Sequence, residues 1–187
     1  VNSTNRCSCA CTFCLRNTKE MLESNSLWLK REPTVEMIIA EFEKYDLTAF
    51  KEVVFCGFGE PLTRHDDLMK VAKYIKEKRS DLSIRINTNG LSSITLGRDI
   101  APDFKGVIDT VSISLNAPTK EEYYELTRAC YGVDSFNYML QFTKACKKYV
   151  PSVVLTVVDI IGVEKIKLCQ KIADGLGVEL RVRPFEE

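Results

Sequence analysis

The chain has 187 residues, and its 26 lysines plus arginines balance 26 aspartates plus glutamates, so bulk charge makes no case for a nucleic-acid or membrane surface. Hydrophobic residues at 45% and charged residues at 28% describe a soluble globular chain, and no apolar run approaches the roughly 20 residues that cross a bilayer. The length suits one domain with a full core, so residues 1–187 are expected to form a single domain. Eight cysteines could suggest a secreted disulfide framework, but four crowd into residues 7–14 with no signal peptide before them, which points to the reducing cytoplasm.

In chain order, Val1 and Asn2 read as the tail of a first strand truncated at its start. The run Thr4 to Cys14 follows, with thiols at Cys7, Cys11 and Cys14, Phe13 just before the last, and an off-pattern Cys9. Thiolate is the soft ligand selected by iron–sulfur clusters and zinc, and three thiols on one short loop reach a common centre without long-range folding. A structural zinc site wants four closed ligands, whereas the chain has only His65 and no second short-spaced pair among Cys56, Cys130, Cys146 and Cys169. A cubane cluster on three cysteines leaves one iron open to a substrate or cofactor. Zinc and incidental thiols stay open as the other readings of this loop.

Arg16 to Lys30 is irregular and polar, a long functional loop or lid in which Trp28 pins the segment to the core. Pro33 and Thr34 start a helix with Ile38, Phe42 and Tyr45 at helical spacing. Val53–Phe55 is a strand, followed by the turn Cys56-Gly57-Phe58-Gly59-Glu60-Pro61, where glycines would let a ligand approach the backbone. A helix with Leu68, Val71, Ala72 and Ile75 on one face comes next, with His65 capping it or facing solvent. Leu82–Asn87 alternates as a strand stopped by Asn89-Gly90, and 91–106 holds only a short helix. Ile108–Leu115 is the clearest strand, with Val111, Ile113 and Leu115 on one side and Ser112, Ser114 and Asn116 on the other. Thr119 and Glu122 form a capping box, and Asp134-Ser135 caps a helix bearing Met139, Leu140 and Cys146. Val153–Val158 is a buried strand; Ile166, Cys169, Ile172 and Leu176 stripe a helix ended by Gly175 and Gly177, and Val178–Val182 is the last strand.

Strand and helix thus alternate about six times, which gives an α/β fold of parallel strands joined by right-handed crossovers. Ser112, Ser114 and Asn116 share one face, as do Glu179, Arg181 and Arg183, and a doubly wound sheet would bury those faces under helices at high cost. The expected form is therefore a partial TIM-type barrel of about six βα units.

The spacing Cys-x3-Cys-x2-Cys with an aromatic residue before the third cysteine resembles the signature of the radical S-adenosylmethionine (radical SAM) superfamily. The resemblance implies that 1–187 is a radical SAM core domain, typically a six-unit partial TIM barrel with its cofactors at the C-terminal ends of the strands. It implies that Cys7, Cys11 and Cys14 hold a [4Fe–4S] cluster, with Phe13 beside it, and that the fourth iron chelates the amino and carboxylate groups of S-adenosyl-L-methionine (SAM). Gly59-Glu60 resembles the family's Gly-Gly-Glu-Pro motif at the methionyl amine, with Phe58 in place of its first glycine. Asn87-Thr88-Asn89-Gly90 resembles the family's Thr-Asn-Gly segment near the cofactor, Ser114 and Asn116 the polar strand that holds ribose and methionine, and Arg128, late in the following helix, a basic residue for the carboxylate. An ordinary turn at 87–90 and a surface arginine at 128 are the plainer alternatives.

The activity implied is reductive cleavage of SAM, with flavodoxin or ferredoxin as electron donor, to a 5′-deoxyadenosyl radical that takes hydrogen from an unidentified substrate, a protein loop or an anionic small molecule. Arg181 and Arg183 would face such an anion, or pair with Glu179. The runs Thr4–Asn17, Ser26–Leu29 and Ser112–Pro118 look like those of small radical SAM proteins associated with TatD-type hydrolases. Two rivals keep the loop without SAM turnover: an iron–sulfur or zinc binding module, and an electron-transfer protein with Cys9 or Cys56 as fourth ligand.

Overall fold

A computed structural model of the chain describes residues 1–18 and 27–185; the segment expected to form a lid lies in part outside the described residues. In chain order the elements are α1 (Leu15–Thr18), α2 (Val35–Phe42), β1 (Glu52–Phe55), α3 (His65–Lys78), β2 (Ser83–Thr88), α4 (Ser92–Leu96), β3 (Thr110–Ser114), α5 (Lys120–Thr127), α6 (Ser135–Cys146), β4 (Ser152–Val158), α7 (Val163–Leu176) and β5 (Glu179–Arg183). The strands make one parallel five-stranded sheet in the order β1-β2-β3-β4-β5. Each connection therefore steps one strand in the same direction, the winding of a barrel rather than of a sheet wound both ways from its middle.

Five strands stand where about six were expected. At the sixth place the Val1 amino group donates to the Val54 carbonyl at 2.6 Å, and the Cys56 N–H donates to the Val1 carbonyl at 3.0 Å. That is one rung of a parallel ladder beside β1, and one residue is too few to count as a strand.

Register divides the sheet cleanly. Val53, Phe55, Ile84, Ile86, Val111, Ile113, Leu155 and Val157 are buried and meet Leu68, Val71, Ala72, Ile75, Met139, Phe142, Cys146, Cys169 and Ala173 of the helices. Each large side chain removed from water there contributes about 1.5–3 kcal/mol, which is what holds the helices to this face. The opposite face is polar: pairing sets Arg85 level with Thr110, Asn87 with Ser112, Ser114 with Thr156 and Arg181, and Val158 with Arg183. Arg183 of β5 reaches across β4 to donate to the Ser112 hydroxyl of β3 at 3.2 Å, as a sheet curled toward its polar side allows.

Several local expectations are corrected. Tyr45 lies beyond α2 and is exposed. Asp134 makes no cap bond, because the 3-10 turn Gly132–Asp134 places it in the helical region, where its carboxylate cannot reach forward. Thr119 does accept from the Glu122 N–H at 3.3 Å, but Glu122 pairs with Lys165 instead of closing the box. Gly175 is inside α7, and Gly177 alone ends it with a left-handed φ of 63°. His65 neither caps nor faces solvent: it is buried as the first residue of α3, with Nδ1 2.8 Å from Asp66.

The turn after β1 is built around its glycines, and what approaches them is the chain itself. A Cβ on Gly57 would strike the Asn2 side chain, and one on Gly59 would strike the Thr4 carbonyl and lie 2.7 Å from the Arg6 carbonyl. The cysteine-bearing segment thus runs directly over Gly59. Gly59→Ala is expected to lower stability by about 2 kcal/mol in urea denaturation, since backbone on both sides would have to give; an unchanged midpoint would contradict that packing.

Candidate functional site

The C-terminal edge of the sheet is where the loop of residues 4–14 settles, and main-chain hydrogen bonds fix it there. Helix α5 ends with carbonyls that have no partner inside the helix. The Ala10 N–H donates to the Thr127 carbonyl at 2.9 Å, the Thr12 N–H to the Leu126 carbonyl at 2.9 Å, and the Cys130 N–H back to the Ser8 carbonyl at 2.9 Å. On the other side the Glu60 N–H donates to the Arg6 carbonyl at 2.8 Å. Arg6 is further tied to Glu32 by a two-pronged ion pair at 2.8 and 2.9 Å, and the Thr4 hydroxyl donates to the same carboxylate.

Within this loop Cys7 is exposed, Cys11 and Cys14 are half-buried, and Cys9 is buried at 5% exposure. The Cys14 N–H donates to the Cys11 carbonyl at 3.2 Å, so the two share one turn. Hydrogen bonding from the Cys9 thiol holds Cys7 down at about 6 against the opposing effect of burial, and lowers Cys11 as well. Cys9 itself is pushed far up, first by its bonds to Cys11 and Cys7 and then by burial; Cys14 is raised by burial.

Glu60 is the deepest charge-bearing group of the rim, with 3% of its surface exposed. Its carboxylate accepts from the Thr88 hydroxyl at 2.7 Å, the Asn89 N–H at 2.7 Å and the Leu62 N–H at 3.1 Å. Burial nevertheless outweighs those donors and raises the group to about 7. Thr88 in turn accepts from the Gly90 N–H at 3.0 Å, so the end of β2 and the turn after β1 form one network.

Asn89, which the sequence offers either as part of the Thr-Asn-Gly segment or as a plain turn former, joins that network to the cysteines. Its Nδ2 donates to the Ser8 hydroxyl at 3.0 Å and lies 3.6 Å from Cys9 Sγ and 3.7 Å from Cys7 Sγ. Tyr123 is a residue missed: its wholly buried hydroxyl has no partner, and the charges acting on it come from Cys9, Cys11, Glu60 and Cys7.

The remaining expected residues are distributed as follows. Phe13 is half-buried next to Cys14. Asn87 faces the polar side of the sheet with its Oδ1 buried and unpartnered. Ser114 is the last residue of β3, while Asn116 lies past the strand with φ 59°. Arg128 is not late in the helix but just beyond it, capping α5 with φ 47° and an exposed guanidinium. Asn116 and Arg128 are the only non-glycine residues with positive φ among the described residues, and such strain gathers at functional positions. Cys56 is half-buried and Cys130 exposed, neither near a second thiol pair.

Three thiols on one short loop, with amide donors aimed at Cys7, suit an iron–sulfur cluster as a donor set. Among the described residues no three Cys, His, Asp or Glu side chains are already gathered as a metal site.

A family profile, the radical SAM superfamily, matches residues 1–169. The chain belongs to that superfamily. Members of the radical SAM superfamily bind a [4Fe–4S] cluster and SAM. The chain is 30% identical over 155 residues to a Thermococcus kodakarensis protein named as a GTP 3′,8-cyclase, covering 83% of this chain and 45% of that one. It is 31% identical over 143 residues to a Methanocaldococcus jannaschii protein named as a glycyl-radical enzyme activating enzyme, covering 76% of this chain and 53% of that one. The chain thus spans about half the length of these two relatives. Among solved structures, methylornithine synthase (PylB) superposes with a TM-score of 0.72 at 17% identity, over 100% of this chain and 52% of that one. Streptococcus suis SuiB bound to precursor peptide SuiA superposes with a TM-score of 0.68 at 16% identity, over 99% and 38%. At those identities the structures show the fold, the partial barrel of this superfamily.

Glu60 gives the rim a pH signature. A carboxyl raised from 4.5 to about 7 binds its proton more tightly in the folded chain, so its contribution is fully present below pH 4.5 and is lost as pH rises to 7. Urea denaturation of wild type and Glu60→Gln should show a stability difference that moves against wild type by about 3 kcal/mol across that window. A difference that stays flat with pH would show the carboxylate to be unperturbed.

Proposed function

We propose that this chain is the core of a radical SAM enzyme in which Cys7, Cys11 and Cys14 hold the cluster and the rim around Glu60 holds SAM. The observation that carries this is the pinning of a three-thiol loop, by main-chain bonds, directly beside a buried carboxylate network. When bound, the cluster and SAM supply an electron and a 5′-deoxyadenosyl radical. The chain's own residues bind, orient and shield. Glu60, buried and poised near neutrality, would accept from the methionyl ammonium, whose charge would draw it to the ionised form. Gly59 seats the cysteine segment above it.

Arg128 makes no ion pair among the described residues and sits one residue past carbonyls that bind the cysteine loop, so its fork is available to the methionyl carboxylate. Ser114, Asn116 and the open Oδ1 of Asn87 offer polar partners to ribose, Thr88 orients Glu60, and Phe13 covers the loop from water. Flavodoxin or ferredoxin is the proposed electron donor, and a protein loop or an anionic small molecule the substrate; SuiB, of the same fold, is a protein bound to a peptide. We place residues 1–187 in one core domain. No helix among the described residues is long and apolar enough to cross a membrane, and we propose a cytoplasmic protein. The kinship with TatD-associated proteins rests on the sequence runs alone.

One observation favours a second reading. Cys9 lies close enough to Cys7 and Cys11 to bond with both thiols, so it could serve as a fourth ligand and close the cluster to SAM. Anaerobic reconstitution with iron and sulfide, then dithionite and SAM, separates the two. Wild type and Cys9→Ala are expected to retain iron and release 5′-deoxyadenosine, while alanine at 7, 11 or 14 should cut release by more than the roughly 100-fold of an outer-shell change. Loss of iron in Cys9→Ala with no release from wild type would favour the closed cluster. Arg128→Gly should weaken SAM binding about tenfold while raising stability by about 1 kcal/mol, because glycine relieves the left-handed strain.

A further inference from the structure

The polar face of the sheet carries a feature that SAM binding does not use. Arg85, Arg181 and Arg183 project from the same side by register, together with Ser112. Arg85 gives one end of its guanidinium to Glu52 at 2.8 Å, but its Nε is buried and has no acceptor. Arg183 is half-buried and bonds only to the Ser112 hydroxyl, at 3.2 Å. Neither Arg181 nor Arg183 has a carboxylate partner among the described residues; Glu179, lower on the same strand and face, pairs with neither.

Arg85 has Glu52 as a counter-charge, whereas Arg183, half-buried beside the exposed Arg181, has none among the described residues. Like charges so held are unfavourable, and partial burial makes them more so. The Arg183 cation is disfavoured accordingly, by burial first and then by Arg85 and Arg181. An arrangement of that kind is stable when an anion sits among the forks. Guanidinium groups also suit carboxylate and phosphate oxygens in particular, since two parallel N–H donors match two oxygens.

We propose that Arg85, Arg181 and Arg183 form a receptor for a carboxylate or phosphate group on a small molecule distinct from SAM. Arg181 and Arg183 supply the forks, the orphan Nε of Arg85 completes the donor set, and the Ser112 hydroxyl lies beside Arg183 on the same face. Distance along the sheet separates the two forks of this receptor from Glu60. Glu60 follows β1 at one end of the sheet and Arg181 and Arg183 lie on β5 at the other, four strand spacings of about 4.8 Å apart, while Arg85 stands on β2 below that strand's C-terminal end. A second ligand therefore has room beside SAM on the concave face. Calling that ligand the substrate rests on the radical SAM reading given above; the anion receptor itself does not.

The test uses the full chain, anaerobically reconstituted, with inorganic phosphate and malonate as probes in separate titrations. Arginine Nε–H NMR resonances and calorimetry report binding, and the SAM-induced change in the cluster signal is recorded on the same samples. Saturable binding of either probe is expected, weakened about tenfold or more in Arg181→Gln and in Arg183→Gln. Arg183→Lys should recover only part of it, because lysine keeps the charge without the fork. Phosphate alone saturating would indicate a phosphoryl ligand, malonate alone a carboxylate. Absence of saturation by both, or equal binding in the Arg181→Gln/Arg183→Gln double variant with an unchanged thermal midpoint, would overturn the receptor. Anion binding with no response of the cluster to SAM would leave the receptor standing and remove the radical SAM reading instead.

Discussion

The contact on which the rest of the site depends is the docking of the cysteine loop onto the end of α5. A helix must leave its last carbonyls without internal partners, and here two of them are satisfied by the N–H groups of Ala10 and Thr12. One set of bonds therefore does two things: it completes a helix terminus and it fixes the backbone that carries Cys7, Cys11 and Cys14. The opposite anchor, Glu60 N–H to the Arg6 carbonyl, ties the same loop to the turn after β1. A flexible thiol-rich loop would lose ordering entropy on binding a cofactor; this loop has most of its main chain in place already.

The sheet supplies the second constraint. Its helix-facing side is continuous hydrocarbon, and its other side carries arginine, asparagine and serine in register. Those groups cannot be covered by a second layer of helices without leaving charge unpaired, so a curled sheet with a polar concavity is the stable arrangement. On the proposed reading those polar residues form a binding surface, and Arg85 Nε and Asn87 Oδ1 upon it are buried without partners.

Much of this was legible in the residues because the periodicities were strong. The strands around Val53, Ile84, Ile113 and Leu155 lie within two residues of their expected bounds at most ends, and Thr34 and Thr119 cap as their side chains suggest. The short cysteine spacing marked the loop, and Glu60, Thr88, Ser114 and Asn116 fall along one rim as expected. What was not legible depended on contacts distant in sequence. Asp134 fails as a cap because of the turn before it, His65 is buried by Phe104 and Asp103, and Arg128 enters the left-handed region where the cysteine loop crosses the helix end. The glycines of the turn after β1 were expected to admit a ligand, yet they admit residues 2–6 of the chain. Asn89 read as a turn former or as part of a cofactor segment, but nothing local marks a side chain that bridges to a thiol 80 residues away.

The central claim is that three cysteines leave one iron open for SAM while Cys9 stays a buried thiol. Electron paramagnetic resonance of the reduced, reconstituted full chain with and without SAM tests it most directly. A cluster signal whose g-values shift on adding SAM, and shift equally in Cys9→Ala, is the expected result. A signal indifferent to SAM in wild type would mean that the cluster has no open iron, and would contradict the assignment of the rim as a SAM site.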